Sequence, residues 1–138
     1  MTKSTLDRVR EFHQAYGLPV AQQPNIHDDK VNGLRIGLLR EELDELATAL
    51  HARDLTEVLD ALTDIQYVLD GAYLSFGLHG LKEKAFAEVH RANMSKLGAD
   101  GKPVVRESDG KILKGPNYTP PDIKSIVEGW VKTLKKAA

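Results

Sequence analysis

Residues 38–70 read LLREELDELATALHARDLTEVLDALTDIQYVLD, and this stretch decides the fold. Its first half repeats leucine at steps of four, three and four residues, which is the period of one face of an α-helix. A second apolar series of the same period begins after Asp54, and aspartate is a favourable N-cap residue. The stretch therefore predicts two antiparallel helices joined by a short turn at residues 53–54. The leucines of the first helix are Leu39, Leu43, Leu46 and Leu50.

The rest of the chain extends this helical pattern. A helix of about residues 5–16 is predicted from its apolar spacing, with Ser4 or Thr5 as its cap. Another helix is expected after Gly80, and a last one after Pro120 and Pro121. Residues 98–119 are rich in glycine and proline and predict a loop or a small hairpin around Asp109-Gly110. We therefore expect an all-α fold: a four-helix bundle with an extra C-terminal helix, in one domain over residues 1–138.

Composition excludes several classes of protein. The chain has 138 residues and no cysteine, so disulfides, thiolate zinc sites and a cysteine nucleophile are excluded. Its net charge of -1 gives no basic excess for coating nucleic acid. No run of 18 apolar residues occurs, so no membrane partner is expected. The polar N-terminus lacks an apolar signal core, and a cytoplasmic location is the default expectation.

Acidic side chains follow one edge of each helix of the predicted hairpin. Spacings of three and four residues bring carboxylates onto a shared face, where like charges destabilise an isolated helix. The second edge borders the apolar series, so carboxylates there are expected to be partly desolvated. Hard oxygen donors in such a cluster suit Mg²⁺, with Mn²⁺ as a substitute. The expected metal ligands are Glu41, Glu42, Glu45, Asp60 and Asp64.

Two other interpretations of the acids were compared with the metal site. A solvated acidic surface is the simplest, and it is less favoured because both clusters lie beside leucine stripes. A di-iron bundle requires Glu-x-x-His on two helices. No histidine follows these acids at that spacing, so the di-iron site is disfavoured.

Three segments together resemble the MazG-like, all-α nucleoside triphosphate pyrophosphohydrolases, a superfamily that includes phosphoribosyl-ATP pyrophosphohydrolases and dimeric dUTPases. The family pattern is Glu-x-x-Glu on one helix and Glu-x-x-Asp on the next. Residues 42–45 match the first part, and Asp64 resembles the last acid of the second. Residues 87–96, AEVHRANMSK, and 114–121, KGPNYTPP, also resemble one subgroup. One position departs from the pattern, because Ala61 stands where the resemblance expects glutamate.

The departure leaves two registers open for the second motif. Asp60 is adjacent to position 61 and substitutes for the missing glutamate in one register. In the other, residues 57–60, EVLD, match Glu-x-x-Asp directly. The first register makes Asp60 a ligand alongside Asp64, and the second makes residues 57–60 the working motif, with its aspartate one turn earlier than Asp64.

The resemblance implies a function and further site residues. It implies Mg²⁺-dependent hydrolysis of a (deoxy)nucleoside triphosphate to the monophosphate and pyrophosphate, with a house-cleaning or dUTPase-like role. Glu41 or Glu42 is expected to take the proton of the attacking water. Phosphoribosyl-ATP hydrolysis is the alternative within the class, and a non-catalytic nucleotide- or partner-binding bundle is the alternative outside it. A homodimer or dimer of dimers is expected, also because the third helix has a wide apolar band. The implied substrate-binding residues are Arg91, Asn93, Lys96, Lys114, Asn117 and Tyr118.

Overall fold

A computed structural model describes residues 1–137 and confirms the all-α fold. Those residues contain a short 3-10 helix, His79–Leu81, and one isolated antiparallel β-bridge. The chain divides into two compact units, Met1–Gly80 and Leu81–Ala138. The expectation of a single domain over the whole chain stays a prediction. The helices are α1 (Thr5–Ala15), α2 (Asp29–Ala52), α3 (Leu55–Ser75), α4 (Lys82–Met94) and α5 (Ile123–Ala137).

The predicted hairpin is formed by α2 and α3, which make the most extensive helix–helix contact of the first unit. Arg53 ends α2 in the left-handed conformation, with φ 55°, and its N–H donates to carbonyls of the last turn. Asp54 then caps α3, because its side chain accepts from the N–H groups of Thr56 and Glu57. This two-residue connection reverses the chain, so positions along α2 pair with positions along α3 in a fixed register.

Helix α1 packs against α3 and completes the first unit. Ser4 and Asp7 form a capping box at its start, which satisfies backbone donors that would otherwise lack partners. The connection from α1 to α2 hydrogen-bonds to the end of α3 through the N–H groups of residues 21 and 25. Gly77 is required there, because its φ is 65° and a Cβ would lie 2.1 Å from the carbonyl oxygen of Gln23.

The outer faces of α2 and α3 leave many apolar side chains exposed. Burial is concentrated instead in small residues of the interface, such as Ala49 and Ala61. Among residues 1–137 no helix has both the length and the hydropathy that a membrane span requires. The exposed residues on these two helices include Ile36, Leu43, Leu50, Leu55, Leu59, Leu62 and Leu69.

The second unit contains α4, α5 and the connection between them. Val105 and Ile112 form an antiparallel bridge, and Leu113 donates to the carbonyl of Val104, so the small hairpin predicted around Asp109-Gly110 is confirmed. Further along, the N–H of Gly115 donates to the carbonyl of Lys96.

Glu88 and Arg91 hold the end of this connection to α4. Both guanidinium edges engage: Arg91 donates to the Glu88 carboxylate, to the Thr119 hydroxyl and to the Pro120 carbonyl. Glu88 also accepts from the N–H of Asp122, 3.0 Å away, just before α5 begins. The hydrogen bond from Arg91 and the one from Asp122 lower the pKa of Glu88 to about 2.

Replacing Glu88 tests this connection through its pH dependence. The folded pKa lies below the usual 4.5, so the ionised carboxylate stabilises the fold fully above about pH 4.5. That stabilisation decreases as the pH falls towards 2, where the folded carboxylate also becomes protonated. Glu88→Gln should therefore lower Tm at pH 7, and its difference from wild type should shrink between pH 4.5 and pH 2. Thermal unfolding followed by circular dichroism checks this. A constant difference over that range would contradict the role of the charge.

Candidate functional site

Three carboxylates converge where α2 faces α3. One ligand oxygen from each of Glu42, Glu45 and Asp64 lies within 4.8 Å of the other two. Glu42 and Asp64 are half-buried, and Glu45 is exposed. The hairpin register produces this arrangement, because Glu42 and Glu45 share one edge of α2 and Asp64 faces that edge from α3. The structure thus brings together three of the five acids that the sequence predicted as ligands.

The environment of Glu42 is unfavourable for a bare carboxylate. Its Oε2 atom is buried and has no hydrogen-bond partner within residues 1–137. Burial raises the pKa of Glu42 above its usual value, and four neighbouring carboxylates raise it further. A buried acceptor without a donor costs on the order of 1–3 kcal/mol, and more when it is charged. The neighbouring carboxylates are Glu45, Asp64, Glu41 and Asp60.

These features fit a divalent cation. Mg²⁺ and Mn²⁺ are bound by carboxylate oxygens and waters, and an oxygen spacing below 4.8 Å lets three oxygens share one ion. A cation would also supply the positive partner that the buried Glu42 oxygen lacks. The donor set contains no nitrogen or sulfur, which disfavours a zinc site.

The remaining two predicted ligands lie beside the group of three. Glu41 and Asp60 line an open groove of about 530 Å³ on the same helix pair, together with Glu45 and Glu57. Ala61, at the position where the resemblance expects glutamate, lies at the floor of this groove and is buried. Both registers proposed for the second motif therefore place an acid in the groove, and the ligand roles of Glu41 and Asp60 stay predictions.

A second cavity, of about 290 Å³, adjoins the group of three. Glu42 and Asp64 form part of its wall, and Phe12, Tyr67 and Arg35 form another part. Arg35 was missed by the sequence analysis, because an arginine flanked by leucine and isoleucine on a helix is usually a surface residue. Its spacing was the available signal. Arg35 precedes Glu42 by seven residues, or two helical turns, so the two residues lie on the same face of α2.

The residues predicted to bind substrate lie in the second unit. Asn93 and Lys96 line one cavity of about 430 Å³. The ammonium of Lys114 lies over the ring of Tyr118, 4.9 Å from its centroid. Asn117 is exposed in the turn between them. The structure thus pairs Asn93 with Lys96 and Lys114 with Tyr118, and a role of these residues in binding a nucleotide stays a prediction.

Arg91 belongs to the same predicted set but is engaged within the protein. Its contacts to Glu88, Thr119 and Pro120 attach the connection to α4. They give Arg91 a structural function, and its predicted contact with substrate is not tested by this geometry.

Comparison with known proteins gives a family match over the larger part of the chain. The model of the phosphoribosyl-ATP pyrophosphohydrolase family matches residues 9–93. Uncharacterized protein L479 of Acanthamoeba polyphaga mimivirus is 37% identical over 75 residues, which are 51% of this chain and 30% of that relative. The chain therefore spans less than a third of the length of this curated relative.

A solved structure also resembles the chain. It is a proposed NTP pyrophosphohydrolase from Exiguobacterium sp. 255-15, with 25% sequence identity, full coverage of both chains and a TM-score of 0.34. At that TM-score the superposition supports no argument about the fold.

Removing the buried carboxylate tests the cation site. Wild-type protein should gain thermal stability when Mn²⁺ or Mg²⁺ is added, by about 2.7 kcal/mol at 100 times the Kd. Glu42→Gln should raise Tm without metal, because it removes one of several crowded like charges, and should abolish most of the gain with metal. Differential scanning calorimetry with and without metal measures both effects. Glu57→Gln is the matched control, and an equal loss of the metal effect in that variant would contradict the assignment.

Proposed function

The chain belongs to the phosphoribosyl-ATP pyrophosphohydrolase family, and we propose that it hydrolyses a (deoxy)nucleoside triphosphate to the monophosphate and pyrophosphate. The observation that carries the proposal is the convergence of three carboxylate oxygens within 4.8 Å, one of them from a residue with a buried, unpartnered oxygen. We propose Mg²⁺ as the cofactor, with Mn²⁺ as a substitute. A house-cleaning or dUTPase-like role is part of the proposal.

The proposed reaction uses the carboxylates in two ways. Glu42, Glu45 and Asp64 would hold the cation, which when bound screens phosphate charge and makes a coordinated water more acidic. Glu41, which lies outside the group of three, accepts the proton of the attacking water. The water oxygen bonds to the α-phosphorus, the bond from that phosphorus to the bridging oxygen breaks, and pyrophosphate leaves.

Two alternatives remain, and one experiment separates them from the proposal. Phosphoribosyl-ATP hydrolysis would use the same carboxylates on a larger nucleotide. A non-catalytic binding bundle is the other alternative, and Ala61 would then mark a decayed site. Pyrophosphate release with Mg²⁺ from a panel of NTPs and dNTPs, with phosphoribosyl-ATP added to it, decides between them. Release from phosphoribosyl-ATP alone would favour the first alternative, and no release from any nucleotide would favour the binding protein. The cytoplasmic location expected from the sequence stays a prediction.

We also propose that the active protein is a homodimer or a dimer of dimers. Exposed apolar side chains repeat along α2 at seven-residue steps, at Ile36, Leu43 and Leu50. A second exposed series follows α3, where Leu59 and Leu62 lie one turn apart. Contiguous exposed apolar surface on a helix pair is typical of an association surface, and a second copy of the chain would cover it with an identical surface.

Light scattering tests the oligomer. At micromolar concentration the wild-type chain should have at least twice the monomer mass of 15.3 kDa. Leu43→Glu and Leu59→Glu should shift it towards the monomer, because each places a charge in the proposed apolar interface. Unchanged helix content by circular dichroism would show that the variants fold. A monomeric wild type would overturn this proposal.

Asp60 and Glu57 test the register of the second motif. Both lie in the groove beside Glu45, but only Asp60 contributes to the rise in the pKa of Glu42. Asp60→Asn should lower activity about tenfold or more and raise the Mg²⁺ requirement, the size typical of loss of a residue that supports a metal site. Glu57→Gln should change neither the activity nor the Mg²⁺ requirement appreciably. Pyrophosphate release at several Mg²⁺ concentrations measures both, and the reverse outcome would make residues 57–60 the working motif.

A further inference from the structure

The 290 Å³ cavity of the first unit has a buried arginine on its wall. Arg35 lies on its wall and is only 6% exposed. Within residues 1–137, its guanidinium forms no hydrogen bond and no ion pair. Burial lowers the pKa of Arg35, and no carboxylate offsets that effect. An ionised group buried in this way costs several kcal/mol unless donors and acceptors compensate it.

The residues that contact Arg35 do not supply a negative charge to its guanidinium. Gly71 of α3 lies directly against the guanidinium, and a Cβ there would be 2.8 Å from Nη1 and 2.9 Å from Nε2 of His13. The Nδ1–H of His13 donates to the carbonyl of Pro19, 2.8 Å away, which fixes the imidazole ring. Burial and the charge of Arg35 lower the pKa of His13, which disfavours a second positive charge here, and neither the neutral nor the protonated imidazole carries negative charge.

The other walls define the shape of a missing partner. Phe12 and Tyr67 are 38% and 39% exposed and meet edge to face, with their ring centroids 5.6 Å apart. They form an aromatic wall that is open to solvent, which suits a planar ring. The volume lies just below the range for small-molecule sites, which is about 300–1,000 Å³.

The cavity connects Arg35 to the cation site. Glu42 follows Arg35 by seven residues on α2, which is about 10 Å along a helix. On the facing helix, Gly71 follows Asp64 by the same seven residues. A molecule with its phosphates at the carboxylates and its other end at Arg35 therefore extends along the seam, the interface between α2 and α3, by roughly the length of one nucleoside.

We infer that Arg35 selects the nucleobase of the substrate, by donating to a carbonyl oxygen of a ring seated in this cavity. The inference rests on the proposed function, since that function places the phosphates at Glu42, Glu45 and Asp64. A phosphate group is the poorer occupant of the cavity, because two of its walls carry carboxylates and the others are mostly apolar. A base edge with a carbonyl matches both the apolar walls and the donor.

The chemistry of arginine makes the selection directional. A guanidinium offers only donors, so it suits guanine, with its O6 and N7 acceptors, and uracil or thymine, with their carbonyl oxygens. Adenine has no carbonyl and presents an amino donor beside its N7 acceptor. Adenine would therefore leave the buried Arg35 incompletely paired. The inference disfavours phosphoribosyl-ATP as the substrate, because that nucleotide carries an adenine ring.

Competition between two deoxynucleotides tests the inference. Wild-type protein with Mg²⁺ should have a kcat/KM for dUTP about tenfold or more above that for dATP, because the uracil carbonyl pairs with the buried guanidinium and the adenine amino group leaves it unpaired. Arg35→Met keeps a long side chain but removes every donor, and should bring the ratio close to one. Arg35→Lys keeps the positive charge but replaces the planar guanidinium with an ammonium group, and should give an intermediate ratio. Arg40→Met, which changes an exposed arginine of the same helix, should leave the ratio unchanged.

A second variant leaves the arginine in place. Gly71→Ala adds a methyl group 2.8 Å from Nη1, so the guanidinium must move away from its present position. The ratio for dUTP over dATP should fall in this variant as well, with Tm measured to confirm folding. Equal loss of kcat/KM for both nucleotides in Arg35→Met would overturn the inference, because it would indicate a phosphate contact or a purely structural residue.

A measurement without metal separates this inference from the proposed function. Saturation-transfer NMR with 2′-deoxyuridine and 2′-deoxyadenosine needs neither phosphates nor a cation. Wild type should transfer saturation to deoxyuridine more strongly than to deoxyadenosine, and Arg35→Met should lose that preference. If no nucleotide is hydrolysed but the preference is present, the proposed function fails and the role of Arg35 stands. If hydrolysis occurs but neither measurement depends on Arg35, the inference fails and the function stands.

Discussion

The antiparallel packing of α2 against α3 is the constraint on which the candidate site depends. Its register pairs Glu42 with Asp64, and seven residues further along each helix it pairs Arg35 with Gly71. Ala61 and Glu45 both line the groove on this helix pair. The two-residue turn at 53–54 fixes this register, so a change in its length would separate all of these pairs together.

The interface between α2 and α3 has acidic groups at one end and a basic group at the other, and both are partly removed from water. At one end, burial and several neighbouring carboxylates raise the pKa of Glu42. Two helical turns away, Arg35 is buried and has no hydrogen bond or ion pair within residues 1–137. Burial disfavours the charged form of each group, and Arg35 is not among the groups that shift the pKa of Glu42. Such unrelieved electrostatic cost is typical of sites that a ligand completes. The proposed nucleotide with its cation would bring positive charge to the acids and acceptors to the arginine.

The sequence was sufficient for the helices but only partly for the site. Leucine periodicity, the Asp54 cap and the turn residues around Asp109-Gly110 are local signals, and the structure confirms the elements they predicted. The acids were found because their spacing is also local to one helix. Which of them converge depends on side-chain reach across two helices, and local spacing does not contain that information. Arg35 was not predicted as a site residue for a related reason. It packs against Gly71, which lies 36 positions later in the chain.

The residues around Arg35 show why hydropathy does not predict which side chains of α2 are buried. Leu34 and Ile36 are 53% and 47% exposed, whereas the arginine between them is buried, so the usual assignment of inner and outer faces is inverted. Between the two helices, the partly buried charges of Arg35, Glu42 and Asp64 lie beside small buried residues such as Ala49 and Ala61. Apolar residues that would fill the core of a monomeric bundle are then left on the outer face, where the proposed second copy of the chain would cover them. The proposed active site and the proposed association surface therefore depend on the packing of the same two helices.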